Sequence, residues 1–306
     1  MKSIVFGPVR SRRLGLSLGV DLLTLKTCSF DCLYCEIGPT TNKTTERRAY
    51  RPTEEVKKAL REKLSDPELH FEVLTFAGSG EPTLHKDLGE LILLAKDLTD
   101  RPICVLTNAS LVWQEEVLND LCLADLVLPS LDAARQETFE RLNRPAPGLN
   151  ISAIIGGLKK LREKMSGQMW LEIMLVGGIN DQEEDLAALR EAVKEIRPHR
   201  IQLNTVVRPP AYPEASPLPF ERLEEIAKTF EPEAEIILPK PGEKREKRPV
   251  STEEILALLS RRPCPSKEIA AALGFDYKET LLALQQLVRE GLIHSKVHDQ
   301  RVFYYV

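Results

Sequence analysis

Between about residues 15 and 205 the chain alternates short apolar runs with longer stretches in which apolar residues return every three or four positions. LGLSLGVDLL (14–23), FEVLTFA (71–77), PICVLTN (102–108), ADLVLPSLD (124–132), MWLEIMLVGG (169–178) and RIQLNTVV (200–207) read as six strands. TEEVKKALREKL, KDLGELILLAKDL, QEEVLNDLCL, ISAIIGGLKKLREKM and EEDLAALREAVKEI read as the intervening helices. Repeated strand–helix units predict an α/β fold with a parallel sheet, here a partial (β/α)6 TIM-like barrel. Polar and glycine-rich residues gather where the strands end, and in such folds reacting groups sit on loops at the carboxyl ends of strands.

After PFERLEEIAKTF (219–230) the pattern loosens into PEAEIILPKPGEKREKRPV, rich in proline and charge, which reads as a linker or an extended strand. STEEILALLS, SKEIAAAL and DYKETLLALQQLVREG then give three helices, and LIHSKV and RVFYYV two strands, the order of a winged helix-turn-helix. The predicted organisation is a catalytic barrel at 1–232, a linker at 233–250 and a winged helix at 251–306. Leu281, Leu284, Leu287 and Val288 form an apolar stripe read as core packing.

The chain has 306 residues, 42% of them hydrophobic, and a net charge of −4, enough for about two domains. It holds no apolar run of membrane-spanning length, and its start, MKSIVFGPVRSRRLG, lacks the continuous apolar run of a secretory signal, so a cytoplasmic protein is expected. Six cysteines are too few for a disulfide scaffold, and a tight cluster of them points instead to metal or redox chemistry.

That cluster is TCSFDCLYCE, with Cys28, Cys32 and Cys35 on the loop after the first predicted strand. On a helix the three would share one buried face. As zinc ligands they lack a fourth, since no histidine lies nearer in sequence than His70. As ligands of an iron–sulfur cube they leave one iron without a protein ligand, free for a substrate. The spacing alone leaves these three readings open.

C-x-x-x-C-x-x-C with Tyr34 before the last cysteine resembles the signature of the radical S-adenosylmethionine (radical SAM) superfamily. The resemblance implies that Cys28, Cys32 and Cys35 hold a [4Fe-4S] cluster whose open iron is chelated by S-adenosylmethionine. It further implies that an electron, from a donor of flavodoxin or ferredoxin type, cleaves the cofactor to a 5′-deoxyadenosyl radical that takes a hydrogen atom from the substrate. AGSGEPT (77–83) resembles the family's glycine-glycine-glutamate motif, so Gly78, Ser79, Gly80 and Glu81 are implied to hold the methionyl ammonium, with Ser79 at a usual glycine position. LTNAS (106–110) resembles threonine-asparagine-glycine, with Ala109 for the glycine and Asn108 as a site wall. Ser130 and Asp132 in PSLD stand where the family reaches the ribose hydroxyls; Asp132 reads equally as a helix N-cap before AARQETFERL. Glu172 and Asn204 are further strand-borne candidates.

FGPVRSRRLGLSLGVDLL, LNRP (142–145), MLVGGIND (174–181) and LNTVVRPP (203–210) extend the resemblance to the branch related to wyosine-base synthesis on transfer RNA. Members that build the wyosine tricycle carry a second cysteine cluster upstream, and no cysteine precedes Cys28 here. Three functions stay open: a radical SAM enzyme acting on an RNA base; one acting on a peptide, protein or small molecule, with the winged helix as docking module; and a redox-sensing DNA-binding regulator. The winged helix carries seven Lys or Arg against seven Asp or Glu, too balanced for a strong phosphate footprint, whereas KPGEKREKR (240–248) is positive. Arg10, Arg12 and Arg13, just before the first predicted strand, and Arg208, just after the sixth, are candidate contacts to an anionic substrate, because guanidinium forms bidentate bonds with phosphate or carboxylate.

Overall fold

The computed structural model describes residues 3–24, 26–237 and 249–306. In chain order the elements are β1 (Val5–Ser11), β2 (Gly15–Val20), β3 (Thr27–Cys28), β4 (Asn42–Lys43), α1 (Thr53–Leu64), β5 (Val73–Phe76), α2 (Leu88–Leu98), β6 (Ile103–Thr107), α3 (Glu115–Cys122), β7 (Leu126–Pro129), α4 (Gln136–Asn143), α5 (Ile151–Lys164), β8 (Gln168–Leu175), α6 (Glu183–Ile196), β9 (Arg200–Thr205), α7 (Phe220–Ala227) and β10 (Glu235–Ile236). A C-terminal unit follows: α8 (Thr252–Leu259), β11 (Cys264–Pro265), α9 (Ser266–Leu273), α10 (Tyr277–Arg289), β12 (His294–His298) and β13 (Arg301–Tyr305).

The main sheet runs β1-β2-β5-β6-β7-β8-β9-β10 and does not close, so it is a partial barrel. All neighbours from β2 to β10 pair in parallel, while β1 pairs antiparallel with β2. Side chains alternate across each strand. Leu74, Val105, Val127, Leu171 and Leu203 pack outward against the helices. The helices meet them with faces spaced as the sequence predicts, for example Ile151, Ile154, Leu158 and Leu161 on α5, whose N-cap Asn150 accepts the N–H groups of Ser152 and Ala153.

The opposite faces of the strands carry a polar set. Ser17 and Thr75 hydroxyls bond at 2.8 Å, Asn204 donates to Glu172 at 3.1 Å, and Arg13 pairs with Glu172 at 2.5 Å.

Two edges differ from the sequence reading. The segment holding Arg10 is strand β1 itself, paired at Arg10 with Leu16, with Arg12 and Arg13 in the turn to β2. Proline and glycine in FGPVRS hid that strand: the ladder is irregular between Phe6 and Val9, which breaks the two-residue alternation. The expected linker at 233–250 starts inside the sheet, since β10 pairs with β9 and Ala234 and Ile237 are buried. KPGEKREKR lies outside the described residues.

The C-terminal unit has the expected helix order, and its hairpin β12–β13 gains β11 as a third strand. Leu284 and Leu287 are buried in its core, Leu281 is half-buried, and Val288 is exposed, so the stripe is narrower than expected. The unit packs on the barrel's β1 edge. Arg261 pairs with Asp21 at 3.1 Å, donates to the Ser3 carbonyl at 2.7 Å and lies over the Phe6 ring.

Candidate active site

Cys28 ends β3, and the loop that follows carries Cys32 and Cys35 without forming a helix. β3 pairs with β4, and the Thr44 N–H donates to the Cys28 carbonyl at 3.0 Å, which closes the loop at its base. Its flank is held by the end of α4: the N–H groups of Asp31 and Leu33 donate to the carbonyls of Asn143 (2.9 Å) and Leu142 (3.0 Å). On the other side the Tyr212 hydroxyl donates to Asp31 at 2.6 Å. A loop fixed at this many points presents its side chains without having to order them on binding.

All three cysteines are free of disulfides and half-buried. Asn108 aims its amide at Cys28 Sγ (3.5 Å) and Asn143 aims its amide at Cys32 Sγ (3.4 Å). Burial pushes the Cys28 thiol up to about 12 and the Cys32 thiol well above its ordinary range. Buried Lys26 lies beside them: burial lowers its pKa, but Cys35 together with Cys28 and Cys32 more than reverses this, so the net direction is upward. Among the described residues no three His, Cys, Asp or Glu converge on one ion. A cube asks for something different, one soft thiolate on each of three irons, and three free thiols on one braced loop, with amide donors and a cation at hand, fit that demand.

The glycine-glutamate loop follows β5 and lies against the strand that carries Cys28. A Cβ on Gly80 would stand 1.6 Å from the Thr27 carbonyl oxygen, so glycine here serves the approach of two backbone segments. A Cβ on Gly78 would strike the Asp21 carboxyl group at 2.3 Å. Ser79 turns its side chain away, donating through Oγ to Asp21 at 2.6 Å and through its N–H at 3.1 Å. Buried Glu81 accepts four bonds, from the Thr83 N–H and hydroxyl, the Thr107 hydroxyl and the Asn108 N–H. Burial raises its pKa.

Asp132 is not a helix cap: α4 starts at Gln136 after Arg135. Its carboxylate accepts from the Tyr34 hydroxyl, from Asn143 at 2.9 Å and from the Met174 N–H at 2.9 Å. Burial pushes it up to about 6. Tyr34 and Asn143 thus tie the cysteine loop to the ends of β7 and β8. Ser130 is half-buried beside them, its backbone bridged to Glu172. Asn204 is occupied by Glu172 rather than standing alone.

Of the candidate arginines, Arg13 is matched by Glu172, and Arg208 is matched by Glu36 at 2.6 Å and by Glu268 of the C-terminal unit. Residues that the sequence reading passed over include Asn143, which lay inside the quoted LNRP, together with Lys26, Asp21 and Arg261. Only Asn143 carried a signal, a polar residue on the buried face of an amphipathic helix.

A cavity of about 650 Å³ opens beside these loops, lined among others by Gly78, Gly80, Glu36, Leu106, Ala257 and Arg262. One wall comes from α8 and the residues after it.

The sequence model described as the Radical SAM superfamily matches residues 22–190, more than half of the chain. The chain belongs to the radical SAM superfamily. It is therefore an enzyme of that superfamily, with S-adenosylmethionine and a [4Fe-4S] cluster as cofactors, and enzymes of this kind draw on an electron donor. A UPF0026 protein of Methanocaldococcus jannaschii is 34% identical over 99% of this chain and 95% of its own length. A protein of Brachyspira hyodysenteriae named GTPase Obg is 37% identical over 96% of this chain, which spans only 44% of that longer protein. Among solved structures, Streptococcus suis SuiB bound to S-adenosylmethionine superposes with a TM-score of 0.53 at 15% identity, over 71% of this chain and 49% of that one, a likeness of fold. No helix among the described residues is long and apolar enough to cross a membrane.

Proposed function

We propose that this radical SAM enzyme modifies a base in RNA, with Cys28, Cys32 and Cys35 as the ligands of three irons and the C-terminal unit as a winged helix that meets the nucleic acid. The bound cofactors supply a 5′-deoxyadenosyl radical, generated with an electron from a flavodoxin- or ferredoxin-type donor. Asn108 and Asn143 donate hydrogen bonds to ligand sulfurs, Asp132 and Tyr34 hold the loop in register, and the glycine loop leaves backbone room beside the cavity. Ser130, just after β7, is the residue to which the resemblance assigns a ribose hydroxyl.

The substrate reading draws on the exposed cations Lys278 and Arg289 of α10 and Lys296 and Arg301 of the hairpin, which can meet backbone phosphates although Glu279, Glu290 and Asp299 are exposed on the same elements. The resemblance of four segments to the wyosine branch supports RNA. Formation of the wyosine tricycle is not part of the proposal, since the second cysteine cluster is missing. Asp276 caps α10 by accepting the N–H groups of Lys278 and Glu279. A second reading, a peptide or protein substrate, is favoured by exposed apolar side chains on the same elements, Leu282 of α10 at 64% and Val297 of β12 at 73% exposure.

Anaerobic protein reconstituted with iron and sulfide should form 5′-deoxyadenosine from S-adenosylmethionine and a reductant, and Cys32→Ala should lose the cluster. Captured material sorted into RNA and peptide decides the substrate: salt-sensitive RNA supports the proposal, and peptide without RNA overturns it.

A further inference from the structure

Beside Glu36, the residue after Cys35, three guanidinium groups gather around two carboxylates. Arg208, 4% exposed, pairs with Glu36 and with Glu268. Arg262 reaches the same Glu268 at 3.4 Å. Both carboxylates are thereby engaged. Arg12, from the turn between β1 and β2, is the third cation. It forms no ion pair within 4 Å among the described residues, and its Nη1 is buried without a hydrogen-bond partner. Burial first, and then the nearby Arg208, push its pKa down, Glu36 and Glu268 pull it part of the way back, and the net result, about 10, still leaves it charged at neutral pH. A half-buried guanidinium with one buried, unpartnered N–H gains from an added anion.

We propose that Arg12 anchors an anion subsite at the edge of the reaction chamber, taking a carboxylate or phosphate group of a bound ligand. Glu36 and Arg262, its neighbours, both line the cavity that also touches Gly78 and Gly80, and half-buried Arg12 adjoins that lining without being part of it. The planar fork of Arg12 suits two parallel N–H···O bonds. One added negative charge balances three cations against two carboxylates. Because Arg262 belongs to the C-terminal unit, the subsite is complete only when that unit is docked. Two ligands carry the required group: the methionyl end of S-adenosylmethionine, and a phosphate of the substrate. The inference rests on the proposed function only in placing a ligand in this chamber, and anion binding needs no turnover.

The test is a titration of the full-length, cluster-loaded protein with inorganic phosphate, read as thermal stability against a chloride control of equal ionic strength, with and without saturating S-adenosylmethionine. Phosphate should stabilise the wild type saturably. Arg12→Gln should weaken that binding at least about tenfold, ~1.4 kcal/mol, while making the phosphate-free protein no less stable, since it removes an unmatched cation. Arg12→Lys, which keeps the charge and loses the fork, should fall between. If S-adenosylmethionine abolishes the phosphate effect and itself binds Arg12→Gln more weakly, the anion is the cofactor's carboxylate. If phosphate stabilises equally on top of S-adenosylmethionine, the anion is the substrate's. Equal phosphate affinity in wild type and Arg12→Gln, or none in the wild type, overturns the subsite. Failure to capture RNA with the Arg12 effect intact would remove the RNA reading and leave the subsite standing.

Discussion

The Glu81 carboxylate accepts the backbone N–H of Asn108 at 2.6 Å and so joins the loop after β5 to the end of β6. Of its two oxygens, Oε1 accepts from the Thr83 N–H and hydroxyl and from the Thr107 hydroxyl, while Oε2 accepts from Asn108 alone. The side chain implied to grip an ammonium is in this structure a strut between two site loops. Glu81→Gln turns a donor toward donors and should cost about 3 kcal/mol of stability, read by denaturant unfolding. Iron content should fall with it, because Asn108 faces Cys28. Native stability and full iron with lost S-adenosylmethionine binding would instead make Glu81 a direct ligand.

Gly80→Ala places a methyl group into the Thr27 carbonyl, a clash with backbone that no rotamer relieves. The two segments must separate, and β3, which ends in Cys28, moves with them. The variant should bind little iron after reconstitution and unfold at lower temperature. Normal iron loading would show that the loop has room the contact denies.

Asn143 donates to Cys32 Sγ at 3.4 Å and to Asp132 at 2.9 Å. A hydrogen bond to a ligand sulfur stabilises the more negative, reduced cluster. Asn143→Ala should therefore keep three thiolate ligands but shift the cluster's midpoint potential downward, read by a spectroscopic redox titration. An unchanged potential would reduce Asn143 to a brace of the loop.

Arg13 and Glu172 give a pH dependence with a defined sign. Burial raises the Glu172 pKa, but Arg13, with Asn204 and Arg12, outweighs it and the net direction is downward. A carboxyl group with a depressed folded pKa contributes stability that is present above its unfolded value, about 4.3, and lost as pH falls through the folded value. In Arg13→Met the buried carboxylate lacks its partner, its pKa rises above the ordinary range, and acidification from neutral pH should stabilise the variant relative to the wild type. Urea unfolding between pH 7 and pH 4 measures this, and a difference independent of pH would refute it.

The six strands and five helices read from periodicity are present, because each buries one face on a shared core and the spacing of apolar residues records that face. The cysteine loop was legible for another reason: three soft ligands within eight residues are a local pattern. The roles of the other site residues were not local. Whether Asp132 caps a helix or anchors Tyr34 depends on where α4 begins. Whether Ser79 meets a ligand or Asp21 depends on the packing of β2 against β5. Edge strand β1 escaped notice because an irregular ladder does not alternate.

The sequence by itself determined the β/α order, the thiol set and the glycine-glutamate loop, since each is written in consecutive residues. Only the tertiary structure decided which charges are matched. Arg13 finds Glu172, Arg208 joins Glu36 to Glu268, and Arg12 is left over, because those partners lie as far as 172 residues apart in the chain and meet only when the sheet curls and the C-terminal unit docks on its edge.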